Sequence, residues 1–189
     1  MKIRLRDQVH KFRQYLYFFK EKKVMLYNQK ALTERTSCLP LNTKKKLNEL
    51  NLDCLFDYRI FPNNIMSHLT QWKDENRKMK VGDTIVQQVY LPPIKIISHK
   101  IIFAVRINQI INERNVKGFS YETLQGHVEK GSSTFTIEQT ETELLIKIKT
   151  FSKPGNILTK LLGPIFSLPY QRFCTTSALE YIKNQIEDQ

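Results

Sequence analysis

The sequence predicts an α+β fold in which a curved antiparallel sheet wraps around a long C-terminal helix, preceded by a basic helical extension. Three observations carry this. β-branched and alternating apolar residues dominate from Thr84 to about Ile148, helical periodicity returns after Pro154, and positive charge concentrates in the first fifty residues. The expected organisation is residues 1–52 as a basic helical extension with its linker, and residues 53–189 as one α+β domain. A chain of 189 residues fits one such domain with an appendage.

In the extension, Leu5, Val9, Phe12, Leu16, Phe19 and Leu26 recur at three, four or seven residues. That spacing gathers them on one helical face, with Arg6, Lys11, Arg13, Lys20 and Lys22 largely elsewhere. Such a helix either binds a charged surface or docks its stripe on the main domain. Docking is favoured, because Tyr15, Phe18 and Phe19 are costly to leave in water. Residues 28–50, polar and containing Pro40 and Lys44-Lys45-Lys46, predict a linker and then a short helix through Leu47 and Leu50. Tyr58 to Phe61 predicts a short strand. Pro62 can open a helix with Ile65, Met66, Leu69 and Trp72 on its apolar side, since proline loses no hydrogen bond at the first helical position.

Gly82-Asp83 is a turn signal, and strands are expected over Thr84–Leu91 and Ile94–Ile111, separated by Pro92-Pro93. Alternation at Phe103, Val105 and Ile107, at Phe135 and Ile137, and at Leu144, Ile146 and Ile148 predicts one buried and one wet face. Pro154-Gly155 should end the last strand and Asn156 should cap a helix. Its apolar positions would be Ile157, Leu158, Leu161, Leu162 and Ile165, then Tyr170, Phe173, Ser177, Ala178, Tyr181 and Ile182. Pro164 and Pro169 should kink or divide it. A sheet gripping a helix in this way tends to leave an apolar cavity between them.

Charge bounds the partners. Residues 1–50 hold 13 Lys+Arg against 4 Asp+Glu, so +9 of the net +12 lies there. A basic appendage suits an anionic lipid surface, an acidic protein or, less well, nucleic acid. The apolar run Tyr15 to Phe19 is too short for a secretory signal, and no stretch approaches the roughly 18 residues that span a bilayer, so a cytoplasmic protein is expected. Cys38, Cys54 and Cys174 are odd in number and lack CxxC spacing, which argues for plain buried or half-buried thiols. His68 and His99 have no partner at metal-ligand spacing, and no phosphate-binding, GxSxG or zinc pattern occurs. No metal and no cofactor are therefore expected.

The stretch Gly118-Phe119-Ser120-Tyr121-Glu122-Thr123-Leu124-Gln125-Gly126-His127-Val128-Glu129-Lys130-Gly131 resembles the signature Gly-Phe-x-Tyr-Gly-Thr-Leu-x-Gly-His-Pro-Glu-x-Gly of uncharacterised protein family 0548, a bacterial and plant domain. Phe135, Phe151-Ser152-Lys153-Pro154, Gly163-Pro164 and Gln171-Arg172 fit the same family pattern in order, over roughly residues 56–183. Glu122 and Val128 depart from it, and Ser132-Ser133 replaces an acidic pair, so a role needing those acids would be absent. The resemblance implies a helix-grip fold of the START and Bet v 1 kind, whose members mostly hold apolar or amphipathic ligands under the C-terminal helix.

Five residues are the candidate ligand-binding set: Tyr121, His127, Glu129, Phe135 and Arg172. His127 and Glu129, two apart, share a face if extended. Flanked by Gly126 and Gly131, they either satisfy the backbone of a hairpin turn, orient a ligand, or act with Tyr121 as acid and base. Arg172 either pairs with a carboxylate on the sheet or meets a ligand's polar head. The expected cavity lining is Phe103, Val105, Phe135, Ile146 and Leu161. No catalytic residue is assigned. The function the sequence favours is a binding module for a small apolar or amphipathic molecule, with an acid–base enzyme and an anionic-surface-binding protein acting through residues 2–27 as alternatives.

Overall fold

A computed structural model describes residues 2–94, 98–154 and 168–189, and in it the strong β-formers between Thr84 and Pro154 fold into a long antiparallel ladder. Eight strands form one sheet: β1 (Lys2–Arg4), β2 (Thr33–Leu41), β3 (Met66–Thr70), β4 (Thr84–Leu91), β5 (His99–Asn112), β6 (Val116–Thr123), β7 (Glu129–Gln139) and β8 (Leu144–Pro154). Their order is β2-β8-β7-β6-β5-β4-β3, with β1 beside β5 where β6 has ended. The helices among the described residues are α1 (Phe12–Lys20), α2 (Asp53–Phe56), α3 (Gln71–Asp74) and α4 (Leu168–Glu187). No described helix is long and apolar enough to cross a membrane.

The main core lies between the sheet and α4. Ile85, Val89, Ile101, Phe103 and Val105 face Ala178, Leu179, Ile182 and Ile186 of α4 within one apolar cluster that also holds Ile137, Ile146 and Ile148. A second core occupies the opposite face, where Val86, Ile102, Ala104 and Leu124 meet Phe12, Tyr15, Leu16 and Phe19 of α1. The expectation of one wet face therefore fails at β4 and β5, which are buried on both sides because the aromatic stripe of α1 docks there. Each such side chain contributes roughly 1.5–3 kcal/mol on burial.

The expected extension is shorter as a helix than its periodicity implies. Only Phe12–Lys20 is α-helical, and Leu5, Val9 and Leu26 remain exposed; residues 2–4 pair as a strand, and after the helix Val24 bridges Leu124. The segment expected as a linker is instead β2, paired with β8 from Thr33↔Ser152 to Leu41↔Leu144. Its polar sequence and Pro40 suit an edge strand, where one face meets solvent and one row of amides needs no partner. The short helix through Leu47 is a 3-10 turn.

Two further expectations fail. Tyr58 to Phe61 is irregular, with Tyr58 at φ 60°, and the segment expected as a helix after Pro62 holds β3 and the one-turn α3. Pairing of Met66↔Val89 through Thr70↔Ile85 satisfies the edge of β4, which outweighs the weak helical spacing of Ile65, Met66, Leu69 and Trp72. Trp72 is buried all the same. At the other end, Pro169 sits in the first turn of α4, where the absence of its N–H costs nothing. Asn156, Ile157, Leu158, Leu161, Leu162, Pro164 and Ile165 lie outside the described residues.

Curvature has local causes. The β5–β6 register slips between Ile107 and Gln109, a bulge that bends the strand. A Cβ at Gly118 would sit 2.0 Å from the carbonyl oxygen of Phe135, and one at Gly131 would sit 1.7 Å from that of Phe151, so both glycines let neighbouring backbone come closer than any side chain permits. Gly118→Ala and Gly131→Ala are each expected to lower stability by about 2–4 kcal/mol in urea unfolding, because backbone rather than a flexible side chain must move. A loss under 0.5 kcal/mol at both would show that the sheet relaxes freely there.

Candidate functional site

Beneath the N-terminal half of α4, at the β2-β8-β7 end of the sheet, lies a cavity of about 410 Å³. The strand registers build its floor in two rows. Tyr121 pairs with Ser133, Ser133 with Thr150, and Thr150 with Arg35, a polar row running across β6, β7, β8 and β2. The adjacent row is Phe119, Phe135, Ile148 and Ser37, mostly apolar. All but Phe119 line the cavity, and Phe61 adds a second apolar ring at 6.4 Å from Phe135. Gln171, Arg172, Cys174 and Thr175 of α4 close it from above.

The helix is held over this floor at both ends. The Tyr170 hydroxyl donates to the Tyr90 carbonyl at 2.7 Å, and Gln185 Nε2 donates to the Arg59 carbonyl at 2.8 Å. Between them, Arg35 Nη1 donates to Gln171 Oε1 at 2.7 Å, and Gln171 Nε2 donates to the carboxyl of Glu129. Burial raises the Glu129 pKa, with Arg35 and Gln171 opposing the rise. Tyr121 is also raised by burial, and its phenol interacts with Ser133 and Tyr58. Gln87 donates in turn to the Tyr58 hydroxyl.

Of the five candidate residues, Tyr121, Glu129, Phe135 and Arg172 come together at the cavity. His127 stands apart from the lining. It is buried in the β6–β7 turn, where its Nδ1 accepts the Glu129 N–H at 3.0 Å and its ring packs on Phe103 with centroids 4.1 Å apart. Burial drives its pKa down to about 3, so the ring is neutral. Glu129 thus divides its roles: its backbone serves the turn and its side chain faces the cavity.

Arg172 makes no ion pair among the described residues. Of the expected lining, Phe103, Val105 and Ile146 are packed in the core instead, and Leu161 lies outside the described residues. Position along the sheet explains the difference: these side chains point to the same face but sit farther along, where the core is filled. Arg35, Thr150 and Ser152 were not anticipated. The alternation that continues from Ile148 to Thr150 and Ser152 was the available signal for the last two, whereas Arg35 required knowing that residues 33–41 join the sheet.

The thiols divide differently from expectation. Cys54 is buried and Cys174 half-buried, but Cys38 is exposed on the edge strand β2. Burial raises the Cys174 pKa to about 11, which leaves its sulfur protonated beside Tyr170 and Glu129. His68, expected on a helix, is on β3 against the Tyr58 ring, and burial lowers its pKa to about 4. His99 is exposed at the start of β5.

These groups make stability depend on pH with a definite sign. Unfolded histidine protonates near 6.5, whereas His127 and His68 in the fold resist protonation down to about 3 and about 4. The unfolded chain therefore binds more protons below pH 6.5, and stability falls as pH falls, by up to about 1.4 kcal/mol per pH unit for each histidine. Glu129, raised above 4.5, opposes this within its own window. Urea unfolding of His127→Gln between pH 6.5 and 5.0 is expected to show a slope shallower by about one proton; an unchanged slope would mean that the native ring is not held neutral.

A family model described as a domain of unknown function, DUF1990, matches residues 50–180. No curated protein matches the chain. Among solved structures, the crystal structure of major latex-like protein 151 from Panax ginseng is similar at 12% identity with a TM-score of 0.56, covering 82% of this chain and 97% of that one. The solution structure of KanY protein is similar at 10% identity with a TM-score of 0.53, covering 83% of this chain and 99% of that one. At such identities the likeness shows the helix-grip α+β fold alone.

Proposed function

Because the chain belongs to the DUF1990 family, whose domain has no described function, we propose from its own geometry that it is a binding module for a small amphipathic molecule held between sheet and α4. The observation that supports this is the cavity floor, where a polar row and an apolar row lie side by side in about 410 Å³. Ligand cavities usually measure roughly 300–1,000 Å³ and combine apolar walls with a few placed polar groups. Three free cysteines fit a reducing, cytoplasmic setting. The acid–base reading keeps Glu129 and Tyr121 at the cavity but would need His127 there as well, whose Nδ1 is engaged by the turn.

The neutral fluorophore N-phenyl-1-naphthylamine tests the binding reading. It should bind the parent protein with enhanced emission, and Ser133→Phe combined with Ile148→Trp, which fills the floor, should weaken it at least tenfold while the far-ultraviolet circular dichroism is retained. Unaltered binding by a folded filled variant would place the probe elsewhere and sink the reading.

A second reading is favoured by one feature of the surface around α1. Phe18 is 44% and Tyr17 63% exposed, although Phe12, Tyr15, Leu16 and Phe19 of the same helix are buried. Lys2 and Lys22 place their ammonium groups 4.8 and 4.7 Å from the Phe18 ring centroid. Exposed aromatics among lysines suit an anionic lipid surface. Cosedimentation with phosphatidylserine vesicles is expected at low salt, to weaken as salt rises, and to fall severalfold in Phe18→Ser; no cosedimentation even at low salt would dismiss this reading.

A further inference from the structure

We propose that the cavity's occupant is an amphipathic acid, with its carboxylate held by Arg35 and Arg172 and its apolar body laid on Phe61, Phe135 and Ile148. This rests on the binding reading above and narrows its ligand class by charge. The cavity lining holds two guanidiniums and one carboxyl, that of Glu129. The carboxyl is already engaged by the Gln171 amide, and burial weakens its tendency to ionise against the opposing pull of Arg35 and that hydrogen bond, so at most one of the two cations is offset. Arg35 spends one N–H on the same glutamine's oxygen, a neutral acceptor, and a guanidinium carries five donors. Among the described residues neither Arg35 nor Arg172 forms an ion pair.

Two cations beside an apolar floor select among ligands. A cationic head would meet like charge and find the nearby carboxyl occupied. A neutral ligand would cover guanidiniums without supplying an acceptor of matching charge, at a desolvation cost. A carboxylate offers two oxygens in the planar geometry that arginine recognises, and such charge-assisted bonds are about twice as strong as neutral ones. The hydroxyls of Ser133 and Thr150 stand in the same row as Arg35 and can donate to the same group. One register step away, Phe135 and Ile148 begin the apolar row, so a head on the polar row leaves the body over rings and methyls.

Matched pairs that differ only in charge test the assignment: octanoate against octanamide, and 2-naphthoate against 2-naphthamide, titrated calorimetrically at pH 7.5. The acids are expected to bind at least tenfold more tightly than their amides. Arg35→Gln and Arg172→Gln should each weaken the acid at least fivefold and the amide less than twofold; Arg172 is exposed, so its replacement does not threaten the fold. Equal affinity of acid and amide overturns the proposal while the binding reading stands. Failure of both pairs, in a protein that still binds the neutral fluorophore, also overturns it. Failure of the fluorophore as well removes the cavity as a binding site.

Discussion

Burial of β4 and β5 on both faces is the constraint on which the rest of the structure depends. Ile85, Val89, Phe103 and Val105 must be covered on one side and Val86, Ile102 and Ala104 on the other, so one helix cannot suffice. The N-terminal segment supplies the second cover and is tied down by polar contacts. Arg106 reaches from β5 to donate to the carbonyl of Lys20 at 2.7 Å and to that of Phe19 at 3.4 Å, in the last turn of α1, where the helix's negative dipole end favours a cation. The cost is visible in its Nε, which is buried without a partner among the described residues. The Gln8 N–H donates to Gln88 Oε1 at 2.9 Å, and the Tyr90 hydroxyl reaches Asp7 at 3.2 Å. Basic residues around α1 thus surround a helix that is integral to the packing.

With the centre of the sheet filled, open volume is left toward β2. Residues 33–41 widen the sheet beyond β8, and α4 runs above this added width, pinned by Tyr170 and Gln185. Large apolar side chains give way there to Ser37, Ser133, Thr150 and Ser152, which are too short to reach α4. The cavity is what remains when short side chains line a surface whose curvature is set elsewhere, at the bulge beyond Ile107 and the close approaches at Gly118 and Gly131.

Burial in the interior around this cavity favours the uncharged forms of its tyrosines, histidines and thiol. Tyr58 and Tyr121 are pushed up, His127 and His68 are pushed down, and Cys174 stays a thiol, each chiefly because burial penalises the charged form. The lining itself carries two guanidiniums, Arg35 and Arg172, against the one carboxyl of Glu129, whose ionisation burial opposes and Arg35 favours. That excess of cationic groups beside an apolar floor is the physical basis of the ligand class inferred for it.

The sequence by itself determined the sheet's inward residues from Phe103 to Ile148 and the C-terminal helix from Tyr170 onward, and it proposed five candidate residues, of which all but His127 lie at one cavity. These rest on local rules: two-residue alternation, helical spacing and a contiguous motif. Only the tertiary structure decided the remainder. Residues 33–41 carry no apolar pattern, and β8's free edge makes them a strand; Met66–Thr70 is compatible with either state, and pairing with β4 chose one. His127 was separable from Tyr121 and Glu129 only by the path of a turn, and Arg35 became a neighbour of Gln171, 136 positions away, only through the register of β2 on β8. Register is set by the summed pairing of whole strands, a sum that no short stretch of residues contains.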